Sequence, residues 1–399
     1  MGKTVCLAAA FATLTLALAA PGGAEAGRFK LLYTFHGGSN GAGPSAAPVL
    51  DSDGNIYGTT FAGGAKDNGT VFKLAPDGSE TLLSQFDGHA AGAGPIASLW
   101  RDANGDLFGT TPYTHGTGKV RAGGTVFEIT ASGTQKVLHR FTLDDPAGYE
   151  PQGGVIADSA GNLYGTTELG GAYRYGTAWK LAPGGAMTVL HGFAAYADDG
   201  AQPIGTLTMD ASGNLYGATE SGGAAQAGGT VFKIAPDGTE SVLYSFGVTG
   251  SDGFRPGGGV LLDAASNFYG TTTLGGRNMN GAVYKLAPDG TETILHSFEQ
   301  YLDGAQPMGS LVADAKGNLY GTTSEGGLTN FGTVFEVAHD GTFRTVHTFN
   351  TIGRQMRNGG RPQAGLTIDT VGSLYGTTVM GGGKGEPIAY GTVFKIDPR

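Results

Sequence analysis

The heptapeptide Gly161–Thr167, GNLYGTT, returns letter for letter at Gly317–Thr323. Close variants occupy Gly54–Thr60, Gly105–Thr111, Gly213–Thr219, Ser266–Thr272 and Gly372–Thr378. The aromatic residue of this motif recurs as Tyr57, Phe108, Tyr164, Tyr216, Tyr269, Tyr320 and Tyr375, at spacings of 51, 56, 52, 53, 51 and 55 residues. Self-similarity at such a period limits the chain to stacked or radially arranged supersecondary units.

Three further anchors recur in the same order. One opens with Pro and reaches Asp after six residues: Pro44–Asp51, Pro95–Asp102, Pro151–Asp158, Pro203–Asp210, Pro256–Asp263, Pro307–Asp314 and Pro362–Asp369. A second begins at Gly69, Gly124, Gly176, Gly229, Gly281, Gly332 and Gly391 and reads GTVFKL or a relative of it. The third ends on Phe35, Phe86, Phe141, Phe193, Phe246, Phe298 and Phe349. We label the four segments a (Pro to Asp), b (NLYGTT), c (GTVFKL) and d (ending in Phe). Each is short, rich in β-branched and aromatic residues, and bounded by Gly, Asp or Asn turns, which is the pattern of antiparallel strands. No stretch sustains a helical period.

Four antiparallel strands per unit in seven units predict an all-β, seven-bladed β-propeller. The repeats span about 44–86, 95–141, 151–193, 203–246, 256–298, 307–349 and 362–396. The last one lacks segment d, while an extra d segment, within residues 28–35, precedes the first. The N-terminal strand is therefore expected to complete the last blade and close the ring, removing an exposed sheet edge. One domain, residues 27–399, follows.

The first residues read as an export signal: Lys3, an apolar run Val5–Ala20, and the small-residue pattern Ala24–Ala26, with cleavage expected after Ala26. The protein is thus expected to be secreted or periplasmic, with no membrane span in the mature chain. Cys6, the single cysteine, lies inside this leader, so disulfides and thiol chemistry are excluded from the mature chain. The formal net charge is −10, and losing Lys3 with Glu25 leaves it unchanged, which argues against nucleic-acid binding.

Two repeated positions resemble chemical sites. The seven Asp residues closing segment a are read as turn caps, because a calcium loop needs more oxygen ligands at fixed spacing. His139, His191, His296 and His347 each stand two residues before the segment d Phe. Outer strands of different blades diverge from the axis, so we assign these histidines structural roles and expect no metal and no cofactor. Motifs for nucleophilic, metallohydrolase or nucleotide chemistry are absent.

Function is expected where the copies differ, on the face that carries the b–c and d–a loops. Candidate ligand-binding residues there are Glu150, Tyr173, Arg174, Tyr175, Arg255, Arg277, Asn278 and Arg361, with His115, Lys119, Arg121, Arg354, Arg357, Lys384 and Glu386 in the longest loops. Arg beside Tyr suits uronates, sulfated sugars or a protein surface. A binding or scaffold module for an extracellular glycan or protein is the leading expectation, acting as a monomer. A polysaccharide lyase or hydrolase is the alternative, with Glu150 and His115 as acid–base candidates.

The recurring string GNLYGTT, then GTVFKL, then PDGTE followed by a segment d, resembles the GloVer tandem-repeat family of exported bacterial proteins over essentially Arg28–Arg399. The resemblance implies secretion and a repeat β architecture, and it carries no catalytic residues to transfer. Members of that family often end in a surface-anchoring segment; this sequence stops at Arg399, directly after segment c, so a soluble exported form is expected.

Overall fold

The computed structural model describes residues 28–114, 123–196, 198–225, 228–249, 252–350, 356, 358–382 and 390–397. The expected leader and the loop residues His115, Lys119, Arg121, Arg354, Arg357, Lys384 and Glu386 lie outside them.

Seven antiparallel sheets form a seven-bladed propeller, and the described residues contain no α-helix. The N-terminal strand Phe29–Thr34 pairs with segment c of the last blade, Thr392–Ile396, and closes the ring. Main-chain hydrogen bonds between the two ends of the sequence thus complete the seventh blade, whose N-terminal strand runs on into the first.

The inter-blade core is a repeated aromatic contact. Each segment d Phe meets the segment c aromatic of the next blade: Phe35 on Phe72, Phe86 on Phe127, Phe141 on Trp179, Phe193 on Phe232, Phe246 on Tyr284, Phe298 on Phe335 and Phe349 on Phe394. Centroids lie 4.9–5.7 Å apart in edge-on or tilted geometry, an arrangement worth roughly 0.5–1.5 kcal/mol per pair beyond burial. All fourteen rings are essentially buried.

The GNLYGTT motif is explained residue by residue. Gly165 sits opposite Trp179 in register, and a Cβ there would lie 2.5 Å from the indole ring. In four copies the first Thr hydroxyl donates to a carbonyl on the next blade's innermost segment: Thr110 to Gly153, Thr271 to Gly309, Thr322 to Ala364 and Thr377 to Ala46. In six copies the second Thr bonds a segment c Thr across the sheet, as Thr60 does Thr70 at 2.7 Å.

Of the motif's tyrosines, Tyr57 and Tyr216 are buried and the others half-buried, and Tyr164 donates its hydroxyl to Asp158 Oδ2 at 2.9 Å. The same Asp158 accepts the backbone N–H groups of Ala160 and Asn162, the turn-capping role read from the sequence. Burial works against the Asp158 charge, but these bonds outweigh it and hold the carboxyl below its usual range. Segment a is less regular than predicted. Five of the seven copies carry only a two-residue ladder, as at Val49–Leu50, because these segments crowd the axis. A Cβ on Gly153 would fall 2.1 Å from the carbonyl oxygen of Gly205 on the next blade.

Candidate functional site

The channel opens on the face of the b–c and d–a loops as a cavity of ≈ 630 Å³. Its walls are the small residues of segment a, joined by Gly43 before the first segment a Pro and by Phe61, Glu220, Thr273 and Val379, each directly after the Thr that ends segment b. The pre-proline residues are Gly43, Gly94, Glu150, Gln202, Arg255, Gln306 and Arg361. Each donates its backbone N–H to a carbonyl in the b–c loop of the preceding blade, at 2.6–2.9 Å. Tyr390 supplies that carbonyl to Gly43, so this ring of bonds also closes between the last and first blades.

All seven pre-proline residues take left-handed backbone angles, with φ between 52° and 64°. Two blades fill the position with glycine, which pays no steric cost. Five place Glu, Gln, Arg, Gln and Arg there, at about 1–2 kcal/mol of backbone strain each.

These side chains reach sideways to acidic groups. Arg255 pairs with Glu220 of the preceding blade, and Arg361 Nη2 lies 3.9 Å from Glu325. Gln202 Nε2 donates to Glu168 Oε1 at 3.3 Å, and Gln152 donates to Glu168 Oε2. Burial pushes the Glu168 carboxyl up, and the Glu220 charge adds to the rise against the two amide donors. Glu150 is likewise raised by burial and then by the Glu168 charge. The third and fourth blades therefore present an amide and carboxylate sector. Across the channel, Phe61, Ile96 and Val379 line an apolar sector, with Phe61 39% exposed.

The structure separates the sequence-predicted residues into two sets. Glu150, Arg255 and Arg361 hold pre-proline positions beside segment a, where the cavity is lined by their neighbours Gln152, Pro256 and Gln363 and not by these three. Tyr173, Arg174 and Tyr175 lie in the third blade's b–c loop, where Tyr173 and Arg174 help line an outer groove with Leu143, Asp144 and Tyr149. Arg277 and Asn278 are exposed in the fifth blade's b–c loop; Arg277 N donates to Ser297 Oγ and Asn278 Nδ2 to the Phe298 carbonyl, beside segment d rather than the channel. Sequence reasoning placed Gln202 among the pre-proline residues of this face without naming it a site residue, and missed Phe61, Gln152, Glu168 and Glu220. Their signal was available: they directly follow or precede an invariant anchor and differ between copies.

The sequence profile of the Gloeobacter/Verrucomicrobia repeat matches residues 23–228 and 150–394. The chain belongs to this family. No curated protein matches it in sequence. Among solved structures, it resembles the extracellular domain of a provisionally assigned hybrid two component system from B. thetaiotaomicron, with 12% identity and a TM-score of 0.56 over 93% of this chain and 41% of that one. A second such extracellular domain from the same organism gives 11% identity and a TM-score of 0.58 over 94% and 40%. The family member thus spans about two fifths of the length of these sensor chains. A chain from Bacteroides fragilis, provisionally assigned as a 6-phosphogluconolactonase, gives 17% identity and a TM-score of 0.55 over 88% of this chain and all of that one. At these identities the likeness is one of fold.

Proposed function

We propose that this repeat protein is an exported binding module that holds a neutral glycan across the mouth of its channel. The leader-like N-terminus supports export. The observation that carries the binding site is the cavity lining itself, which sets Gln152, Glu220, Thr273 and Gln363 against Phe61, Ile96 and Val379 around one opening.

The ligand class follows from the lining. A cavity of this size with an apolar wall and a few convergent hydrogen-bonding groups is suited to a small or oligomeric polar molecule. Phe61 offers an apolar face on one side, and Gln152, Glu220 and Gln363 offer donors and acceptors around it. Arg255 and Arg361 are already engaged by Glu220 and Glu325, which favours a neutral sugar over the anionic ones that the arginines suggest in isolation.

A lyase or hydrolase reading draws on Glu150 and Glu168, since a carboxyl raised by burial and by a neighbouring charge is the form a general acid takes. One experiment separates the two. The protein is screened against neutral and anionic polysaccharides, with products assayed in the same wells. Binding of a neutral glycan without product, weakened about tenfold or more by Phe61→Ala or Gln152→Ala, is expected. Turnover would favour the enzyme, and no glycan binding, or binding indifferent to both variants, would remove the site.

A further inference from the structure

Seven seams run between neighbouring blades near the outer strands, and each brings together the same two positions. One is the residue two before the segment d Phe; the other is the residue six before the segment d Phe of the next blade. The pairs are Tyr33 with Glu80, Ser84 with Gln135, His139 with Met187, His191 with Glu240, Tyr244 with Glu292, His296 with Phe343 and His347 with Phe29. Contacts mark most of them: Ser84 Oγ lies 2.6 Å from Gln135 Oε1, and His296 stacks on Phe343 with centroids 3.5 Å apart.

In three seams the histidine also binds an aspartate from its own d–a loop. His139 Nε2 to Asp145 and His296 Nε2 to Asp303 are both 2.8 Å. The third, His191 Nε2 to Asp199 Oδ1, is 3.2 Å. In the first two the neighbouring blade contributes Met187 or Phe343, which offer no hard donor. At His191 it contributes Glu240. One ligand atom from each of His191, Asp199 and Glu240 lies within 4.8 Å of the others, the sole such trio among the described residues. Glu240 Oε1 is buried and has no hydrogen-bond partner among the described residues, although a Glu240 carboxylate oxygen is that close to both. Asp199 is held in place by the backbone N–H groups of Ala194 and Gly200, which orient its carboxylate as an outer shell orients a metal ligand.

We propose that His191, Asp199 and Glu240 form a binding site for a divalent transition-metal ion, Zn²⁺ foremost, that clips the third blade to the fourth. One imidazole nitrogen and two carboxylate oxygens are a zinc-type donor set, and calcium or magnesium would call for oxygens alone. Ligand atoms on a tetrahedral zinc ion stand about 3.4 Å apart, from bond lengths near 2.0–2.2 Å, so side-chain adjustments of about an ångström, within reach of rotamer shifts, complete the site. His191 and Asp199 side chains are 21% and 12% exposed, which leaves an entry path and room for water as a further ligand. The earlier expectation that no ion could be shared across blades considered histidines alone; a histidine and a glutamate from adjacent blades do converge.

The chain supplies its own control variants. Glu240→Met installs the residue of the preceding histidine seam, and His191→Tyr installs the partner that Glu80 and Glu292 already face. Chelator-treated protein is titrated with Zn²⁺ by calorimetry and followed by thermal unfolding. The wild type is expected to bind one ion and to melt higher as free Zn²⁺ rises. Each variant is expected to fold, to lose the thermal shift, and to weaken binding by at least ~100-fold. The proposal is overturned if the wild type binds no stoichiometric Zn²⁺, if it prefers Ca²⁺, or if both folded variants bind as tightly as the wild type.

Discussion

Thr272 and Ala282 face each other in register across the fifth blade, and the Thr272 hydroxyl is buried with no hydrogen-bond partner among the described residues. The six sister blades place Thr at the Ala282 position and pair the two hydroxyls at 2.7–3.0 Å. An orphaned buried hydroxyl costs about 1–3 kcal/mol, whereas a satisfied one contributes about 1. Ala282→Thr should therefore stabilise the protein by about 1 kcal/mol, read from the denaturant midpoint. Destabilisation would mean that the fifth blade has repacked around the missing hydroxyl.

The pre-proline ring makes a stability–function prediction with an internal control. Ser266 has φ 62° at a hairpin position where the other six copies have Gly. Gln306 has φ 52° at a pre-proline position that two other blades fill with Gly. Replacing either with Gly relieves a left-handed strain of roughly 1–2 kcal/mol, partly offset by glycine's greater freedom when unfolded. Both Ser266→Gly and Gln306→Gly should raise the denaturant midpoint, and neither should weaken glycan binding, since neither residue lines the cavity. The reverse change, Gly43→Gln, should destabilise, since a Cβ there finds space but unfavourable backbone. Three neutral results would show that the strain carries no free energy.

Much of the ring was legible in the sequence because its determinants are local and recur seven times. The spacing of Tyr57 through Tyr375 counts the blades, and the unpaired segments at Leu31–Phe35 and Gly391–Ile396 predict closure by Phe29–Thr34 on Thr392–Ile396. The mouth was less legible. Arg255 looked free for a ligand, yet Glu220, 35 residues earlier, takes its charge, a pairing that only the seating of one blade on the next produces. Arg277 and Arg361 occupy loops of the same face but different radii, and sequence reports face more readily than radius. The His191 and Glu240 seam was hidden for the same reason.

Glu292 provides a test on the alkaline side. Burial, then the charge of Asp252, pushes its carboxyl up to about 7, and Glu292 Oε1 has no hydrogen-bond partner among the described residues. The folded state thus holds this proton more tightly than the unfolded state. Its contribution is undiminished below about 4.5 and is lost as pH rises toward 7. Glu292→Gln should match the wild type at pH 4 and exceed its stability at pH 8. Equal midpoints at both values would show that the carboxylate is solvated well enough to ionise freely.

His347 tests the closure itself and has the opposite sign. Its ring stacks on Phe29 of the closing strand, with centroids 4.0 Å apart and planes 9° from parallel. Burial pulls its pKa down from 6.5 to about 4, so the folded state binds this proton less readily than the unfolded chain. Stability from the neutral ring is complete above about 6.5 and is lost as pH falls toward 4. Protonation therefore loosens the seam where the N-terminal strand completes the last blade. His347→Tyr, which keeps an aromatic face against Phe29 and cannot take up that proton, should flatten the loss of stability between pH 6.5 and 4 relative to the wild type. Phe29→Ala should lower stability at every pH by about 1–3 kcal/mol, below the cost of truncating a fully buried Phe because Phe29 is half-buried, and expose the N-terminal strand to limited proteolysis. If the His347→Tyr and wild-type curves ran parallel through this range, the acid sensitivity would lie elsewhere; if Phe29→Ala left proteolysis unchanged, closure would not depend on this stack.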